Sequence, residues 1–157
     1  MIYWPLMLLA PVLLAVMYFD LRYMRIPNVL SIVAVALFAV SALVNTPDDL
    51  VARLVVAGAV FAIGFAGFCF RILGGGDVKI LSALLLFIPL QDLTIFANVF
   101  SASLVLGIIA ILSVRRMPFA GGTNWKSISA STRFPMGISI GFAGIIQPLV
   151  VATLVGF

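Results

Sequence analysis

Long apolar runs dominate the chain and restrict what it can fold into. Hydrophobic residues make up 64% of the sequence and charged residues only 9%. A water-soluble domain of 157 residues would not tolerate such runs on its surface. In lipid every backbone polar group must be paired internally, so apolar runs cross a bilayer as helices. The sequence therefore predicts an all-α integral membrane protein.

Six segments have the character of a membrane span, which needs ~20 residues as a helix. They are Ile2–Phe19, Val29–Val44, Leu50–Ile72, Val78–Leu90, Leu93–Val114 and Phe134–Phe157. No linker, charge block or repeat divides the chain, so residues 1–157 are predicted to form a single transmembrane domain. The first segment lacks the basic region of a secretory signal, and we expect it to be retained as a span.

Basic residues are distributed unevenly between the predicted loops. Placing the connections 19–28, 71–79 and 115–133 on one side leaves only Arg53 near the other. The basic residues collected on that first side are Arg22, Arg25, Arg71, Lys79, Arg115, Arg116, Lys126 and Arg133. Cytoplasmic loops carry such an excess, so both termini are predicted to face the non-cytoplasmic side. The net charge of +4 is explained by anionic lipid headgroups, and no nucleic-acid partner is expected.

The ionisable residues available for chemistry are few. The chain has no His, no Glu and a single Cys, which excludes Ser-His and Cys-His relays and a cysteine metal cluster. Five carboxylates remain: Asp20, Asp48, Asp49, Asp77 and Asp92. The predicted topology places three of them in outer loops. Only Asp20, which ends the first span, and Asp77, which opens the fourth, lie on one side and can meet.

Asp77 opens an unusually short apolar segment. Its 13 residues cover roughly 20 Å of a ~30 Å hydrocarbon layer, which places the carboxyl group below the membrane surface. An ionisable group at that depth usually faces a bundle interior or a wet cavity. Two carboxylates at one water can share a proton and act as base and acid. Structural alternatives remain: Asp77 as a helix N-cap, and Asp20 as an ion-pair partner of Arg22 or Arg25.

Two motifs carry a resemblance to a known family. They are Asp20-Leu-Arg-Tyr-Met-Arg-Ile26-Pro27-Asn28 and Gly74-Gly75-Gly76-Asp77-Val78-Lys79. Both resemble the signatures of type IV prepilin peptidases, the GxGD-type aspartyl proteases. With six predicted spans and little else, the chain is similar to the short stand-alone branch associated with tight-adherence (Flp-type) pili.

The resemblance implies a function and a site. It implies an endopeptidase of the prokaryotic inner membrane that removes the leader of a prepilin or pseudopilin at the cytoplasmic face, without cofactor or metal. Asp20 and Asp77 are the implied catalytic pair. The supporting residues are Gly74, Gly75, Gly76, Lys79, Pro27 and Asn28. The paired cysteines of larger family members are missing from the sequence, so no methyltransferase activity is expected.

Several roles stay open at this point. Lys79 either tunes Asp77 or extends toward lipid phosphate while supporting the glycine loop. Asn28 is interpreted as a local helix cap. The Pro135-Met136-Gly137 segment receives no role. Small residues at 58, 62 and 66, and at 137 and 141, are interpreted as helix-packing faces.

Two other functions compete with proteolysis. A proton-coupled transporter would use the acidic pair as a proton relay, but it leaves the Ile-Pro-Asn and triple-glycine motifs unexplained. A non-catalytic scaffold for a pilus or secretion assembly would use the small-residue faces to bind partner helices.

Overall fold

The computed structural model describes residues 4–116 and 134–155, and this part of the chain is helical without a strand. The prediction of an all-α chain is confirmed. Six α-helices follow in order within the described ranges, with a 3₁₀ turn at Leu90–Asp92 between the fourth and fifth. They are α1 (Trp4–Tyr23), α2 (Asn28–Val44), α3 (Leu50–Cys69), α4 (Gly75–Leu85), α5 (Leu93–Arg115) and α6 (Met136–Val155). Lys126, Arg133 and most of the predicted 115–133 loop lie outside the described residues.

The helices differ in their capacity to cross a membrane. Four are long and apolar enough to do so: α1, α3, α6, and α5 together with its preceding turn. Helix α2 is apolar but has only 17 residues, and α4 has only 11 residues, which give roughly 17 Å of length. The chain is a membrane protein. The count of six spans and the position of the termini stay predictions.

Helices α1 and α4 differ most from the predicted boundaries, and α3 ends at Cys69, three residues before the predicted Ile72. Helix α1 continues past Phe19 to Tyr23, because the backbone keeps its hydrogen bonding after the side chains become polar, and Met24 N–H donates to the Asp20 carbonyl. Helix α4 begins at Gly75 and ends at Leu85. Pro89 disfavours helical backbone at the residue before it, which explains why the helix does not extend to Leu90.

The helices pack as an antiparallel bundle with two distinguishable groups. Helix α6 packs extensively against α1 and α5, while α3 packs against α4. Helix α2 contacts both α1 and α4, and α4 touches α6 over a smaller area. Along α1 and α6, Asp20, Met17 and Leu13 contact Gly137, Gly141 and Gly144 in turn, which fixes their antiparallel register. The predicted close packing at Gly137 and Gly141 is confirmed.

Helix α4 is the buried centre of the fold. Residues 82 to 89 are all buried, and Ile80 and Leu84 are fully enclosed. Outward-facing residues of α2 and α3 are apolar as well, among them Ile32, Val51 and Ile63, each at least 66% exposed. Such surfaces are compatible with lipid rather than water. A short helix wrapped by longer lipid-facing helices keeps its N-terminal Asp77 away from the surrounding bilayer.

The small-residue face of α3 does not pack as predicted. No described atom comes within 4 Å of the position that a Gly58 side chain would take, and Ala62 and Ala66 are exposed. Gly58 lines an apolar groove of about 780 Å³ between α2, α3 and α4. Helices α2 and α3 make few contacts with each other, because both pack against α4. Within the described residues, the packing interpretation of this face is wrong.

A polar clamp, formed by Asp49 and Arg53, joins the start of α3 to the C-terminal end of α4, which is the end far from Asp77. Asp49 accepts a 2.6 Å hydrogen bond from Arg53 Nε and a 2.8 Å bond from Leu90 N–H. Arg53, which is 8% exposed, also donates to the Leu86 carbonyl at 3.4 Å. Burial alone would raise the pKa of Asp49, but the Leu90 N–H and the Arg53 guanidinium hold it below its usual value. The clamp fixes the position of α4 along α3.

Candidate active site

Asp20 lies in the last turns of α1 with its side chain turned into the bundle. The residue is 5% exposed, and its Oδ2 accepts a 2.6 Å hydrogen bond from the backbone N–H of Gly137 at the start of α6. Arg22 instead donates to the Tyr18 hydroxyl and lies over the rings of Tyr18 and Tyr23. The alternative in which Arg22 pairs with Asp20 is therefore wrong. The carboxyl group is bound by a backbone donor, which holds it in one orientation.

Asp77 is the third residue of α4 and is partly buried. Gly74 takes the N-cap position of α4, so the alternative in which Asp77 serves only as the helix N-cap is wrong. Its Oδ1 is buried and has no hydrogen-bond partner within the described part of the chain. A buried polar atom without a protein partner is costly, and each such atom needs a specific explanation, for example a catalytic role or an ordered water. The unpaired Oδ1 makes Asp77 a candidate functional residue.

The first turn of α6 lies between the two carboxyl groups. Gly137 holds Asp20, and the preceding residue, Met136, lines a cavity of about 170 Å³ together with Asp77. Asp77 also lies within range of the charge of Asp20. Residues 57 positions apart in the sequence thus lie at the same end of the bundle. Two carboxyl groups within range of each other's charge repel each other when both are ionised.

The three glycines before Asp77 allow close approaches. A side chain at Gly76 would begin 2.9 Å from Ile26 Cβ, and one at Gly75 would begin 3.1 Å from the Phe68 ring. A side chain at Gly74 would collide with the Asp77 carboxylate itself. Real Cβ atoms essentially never approach another heavy atom below 3.0 Å. The glycines let this loop pack against the α1–α2 connection, which brings the two sequence motifs together.

Lys79 and Asn28 make a second link between the motifs. Lys79 Nζ donates a 2.9 Å hydrogen bond to Asn28 Oδ1. Pro27 occupies the N-cap position of α2 in an extended conformation, with no side-chain cap bond. Asn28 therefore does not cap α2 as interpreted from the sequence. Lys79 therefore links the start of α4 to the start of α2, and its extension toward lipid phosphate and its effect on Asp77 both stay predictions.

Gly137 is a site residue that the sequence reasoning missed. A Cβ there would lie 2.7 Å from Asp20 Oδ2 and 2.9 Å from Asp20 Cβ. Only glycine can therefore bring its N–H against the carboxylate. A glycine two residues after Pro135, at the predicted start of a span on the Asp20 side, was the available signal. Its partner lies 117 positions away in the sequence and could not be inferred from local pattern.

Within the described residues, no group of three or more His, Cys, Asp or Glu side chains is arranged to hold a metal ion. Asp20 and Asp77 contribute two carboxylates and no third ligand of these types joins them. The arrangement consists of one carboxyl group, Asp20, that is held by the Gly137 N–H, and a second, Asp77, whose Oδ1 has no hydrogen-bond partner in the described residues.

The sequence profile of the type IV leader peptidase family matches residues 7–112, well over half of the chain. The chain belongs to the type IV leader peptidase family. No curated protein and no solved structure gives a significant match. The matched part of this leader peptidase contains both aspartates, the Ile-Pro-Asn motif and the glycine loop, whereas α6 lies beyond it. The family resemblance drawn from the two motifs is confirmed, and the chain is a membrane peptidase.

Proposed function

We propose that this leader peptidase is an aspartic endopeptidase, with Asp20 and Asp77 as its catalytic pair. The observation that carries the proposal is the unpartnered Asp77 oxygen beside the charge of Asp20, which Gly137 holds in place. In hydrolysis, the ionised carboxylate takes a proton from a water molecule, and that water attacks the peptide carbonyl carbon. The protonated carboxyl group donates a hydrogen bond to the carbonyl oxygen and then returns a proton to the leaving amine.

We further propose that the substrate is a prepilin or pseudopilin cut at the cytoplasmic face of the prokaryotic inner membrane, directly after a glycine. The basic residues of the described chain support this orientation. Arg22, Arg25, Arg71 and Lys79 lie at the same end of the bundle as Asp20 and Asp77, whereas Arg53 lies at the other. A polar leader meets its apolar helix at this border, so the scissile bond reaches the carboxyl pair. Six spans with both termini outside are part of the same proposal.

The test replaces each carboxylate in the full-length protein. Asp20→Asn and Asp77→Asn keep the size of the side chain but remove the acid, and Asp48→Asn is the matched control on the exposed far side. Each purified variant is mixed with a prepilin in detergent micelles, and mass spectrometry follows the new N-terminus. The two site variants should lose roughly 10²-fold or more of the cleavage rate, while the control keeps it.

The outcomes separate the competing functions. Normal cleavage by either site variant would remove that residue from the pair. If none of the proteins cleaves but the double variant still supports pilus assembly in cells, the protein acts as a scaffold. Solute flux into liposomes that depends on pH and on both aspartates, without cleavage, would identify a transporter.

A further inference from the structure

The groove of about 780 Å³ between α2, α3 and α4 has no part in the proposed chemistry. Along α2 it extends from Asn28 to Ala39, which corresponds to roughly 17 Å of helix. Its edge on α2 is open, since Ile32 lines the groove and is 66% exposed. Half of a ~30 Å hydrocarbon layer is about 15 Å, so the groove has the depth of a single lipid leaflet.

The polarity of the groove changes in order along its length. At one end lie Asn28 and Lys79, whose side chains are joined by a 2.9 Å hydrogen bond. One helical turn deeper lie Ser31 on α2 and Ser82 on α4, and the remaining lining residues carry no polar side chain. A cation, a hydroxyl group and hydrocarbon thus follow one another. A phospholipid presents its phosphate, its ester groups and its acyl chains in the same order.

Ser31 has a hydrogen-bonding group that the protein does not use. The residue is 7% exposed, and its Oγ has no hydrogen-bond partner among the described residues. An unpaired buried hydroxyl group is costly. Because Ser31 lines the groove, its hydroxyl group is available to an acceptor that enters there. The other buried serines of the described helices donate to backbone carbonyl groups: Ser41 to Phe38, Ser82 to Val78, Ser103 to Val99 and Ser139 to Ser103.

The groove is unsuited to a substrate helix. With 3.6 residues per turn, Lys79, Ser82 and Leu86 lie on the face of α4 that is roughly opposite to Asp77. Asp77 instead lines the half-open cavity between α3, α4 and α6. A peptide in the groove would therefore have α4 between its backbone and that acid. A membrane-spanning helix would also need a contact of ~30 Å, nearly twice the length available.

We propose that this groove binds one anionic phospholipid. The Lys79 ammonium group pairs with the phosphate, the Ser31 hydroxyl group donates to an ester carbonyl, and the acyl chains lie along the apolar part of the groove. An ammonium group has three N–H donors, so Lys79 keeps two for the phosphate after its bond to Asn28. The lipid fills the space between α2 and α3, which make few contacts with each other.

The first test counts the lipid molecules that are bound to the full-length protein in detergent micelles, by native mass spectrometry. Phosphatidylglycerol, which is anionic, and phosphatidylcholine, which is zwitterionic, are titrated with identical acyl chains. The wild-type protein should bind one phosphatidylglycerol about five-fold more tightly than phosphatidylcholine, the preference that one lysine provides. Lys79→Gln should abolish this preference. Arg71→Gln should keep it, because Arg71 is an exposed cation at the same end but outside the groove.

Two further variants change the groove itself. No described atom lies within 4 Å of a Cβ at Gly58, so Gly58→Leu fills the groove without moving a helix. It should weaken phosphatidylglycerol binding by roughly ten-fold or more, because it displaces acyl methylene groups. Ala59→Leu is its control, since Ala59 is exposed outside the groove. Ser31→Ala should weaken binding about five-fold through the lost hydrogen bond, whereas Ser41→Ala on the same helix should not.

The possible results distinguish the occupants of the groove. Equal affinity of the wild-type protein for the two lipids, or equal effects of Gly58→Leu and Ala59→Leu, would overturn the proposal. Dimers that Gly58→Leu disrupts would assign the groove to a second copy of the chain and overturn it too. Displacement of the lipid by a prepilin would assign the groove to the substrate helix, with the same consequence. None of these measurements requires cleavage, so they are independent of the aspartic mechanism.

Discussion

Gly137→Ala places one methyl group against a catalytic candidate without changing any charge. The added Cβ would lie 2.7 Å from Asp20 Oδ2, 2.9 Å from its Cβ and 3.0 Å from its Cγ. Ordinary contacts begin at 3.4 Å, so the Asp20 side chain or the start of α6 must shift by roughly 0.5–0.7 Å. The 2.6 Å hydrogen bond from the Gly137 N–H to Asp20 cannot survive that shift at its present length.

The size of the effect follows from two costs. Overpacking a tight contact costs about 1–3 kcal/mol, and a hydrogen bond to a charged group contributes about 1.5–3 kcal/mol. A misplacement near 1 Å in a catalytic constellation lowers rates by ~10²-fold. We therefore expect Gly137→Ala to lower kcat by about 10²-fold.

The control is Gly144→Ala on the same helix. Its Cβ would meet Leu13 Cδ1 at 2.7 Å and Leu84 Cδ1 at 3.0 Å, a similar overlap away from both aspartates. Prepilin cleavage is measured for both variants beside their thermal unfolding in micelles. An equal loss of cleavage in both variants would show that the loss comes from disturbed helix packing and not from a displaced Asp20 carboxylate. Wild-type cleavage by Gly137→Ala would refute the reasoning outright.

Two further predictions concern the contacts that hold the bundle. Asp49→Asn should destabilise the protein by about 3 kcal/mol at pH 7, because Arg53 stays buried without its charged partner. The folded state lowers the pKa of Asp49. The stability difference between wild type and Asp49→Asn is therefore complete above the ordinary Asp pKa of about 3.9, and it shrinks as the pH falls below that value. Unfolding measured at several pH values tests this dependence. Lys79→Met and Asn28→Ala should show a coupling of about 0.5–1 kcal/mol in a double-mutant cycle of unfolding, and strictly additive effects would contradict their hydrogen bond.

The number and order of the helices could be predicted from sequence because span length follows from the thickness of the hydrocarbon layer. The ends of α1 and α4 could not, since apolar composition and helical hydrogen bonding stop at different residues. Asp20 and Asp77 were predicted as a pair because they are the only two carboxylates on one side of the predicted topology, and their catalytic role stays a prediction. Excluding the other three aspartates requires only the predicted topology and no distance between side chains.

Contacts between helices that are distant in the sequence could not be predicted from local sequence patterns. The small face at Gly58 and the one at Gly137 look alike in sequence, yet the first lies open and the second supports Asp20. Spacing shows which residues share a helix face but not which neighbour that face meets. The same limit applies to Asn28, whose side chain bonds Lys79 instead of its own helix.

The division of the bundle into two groups has a mechanical consequence. Asp20 belongs to the group of α1, α5 and α6, and Asp77 belongs to the pair of α3 and α4. The two proposed catalytic acids therefore belong to different groups of packed helices. The distance between the two carboxyl groups depends on how α6 packs against α4, and substitutions at that contact change it without touching either acid.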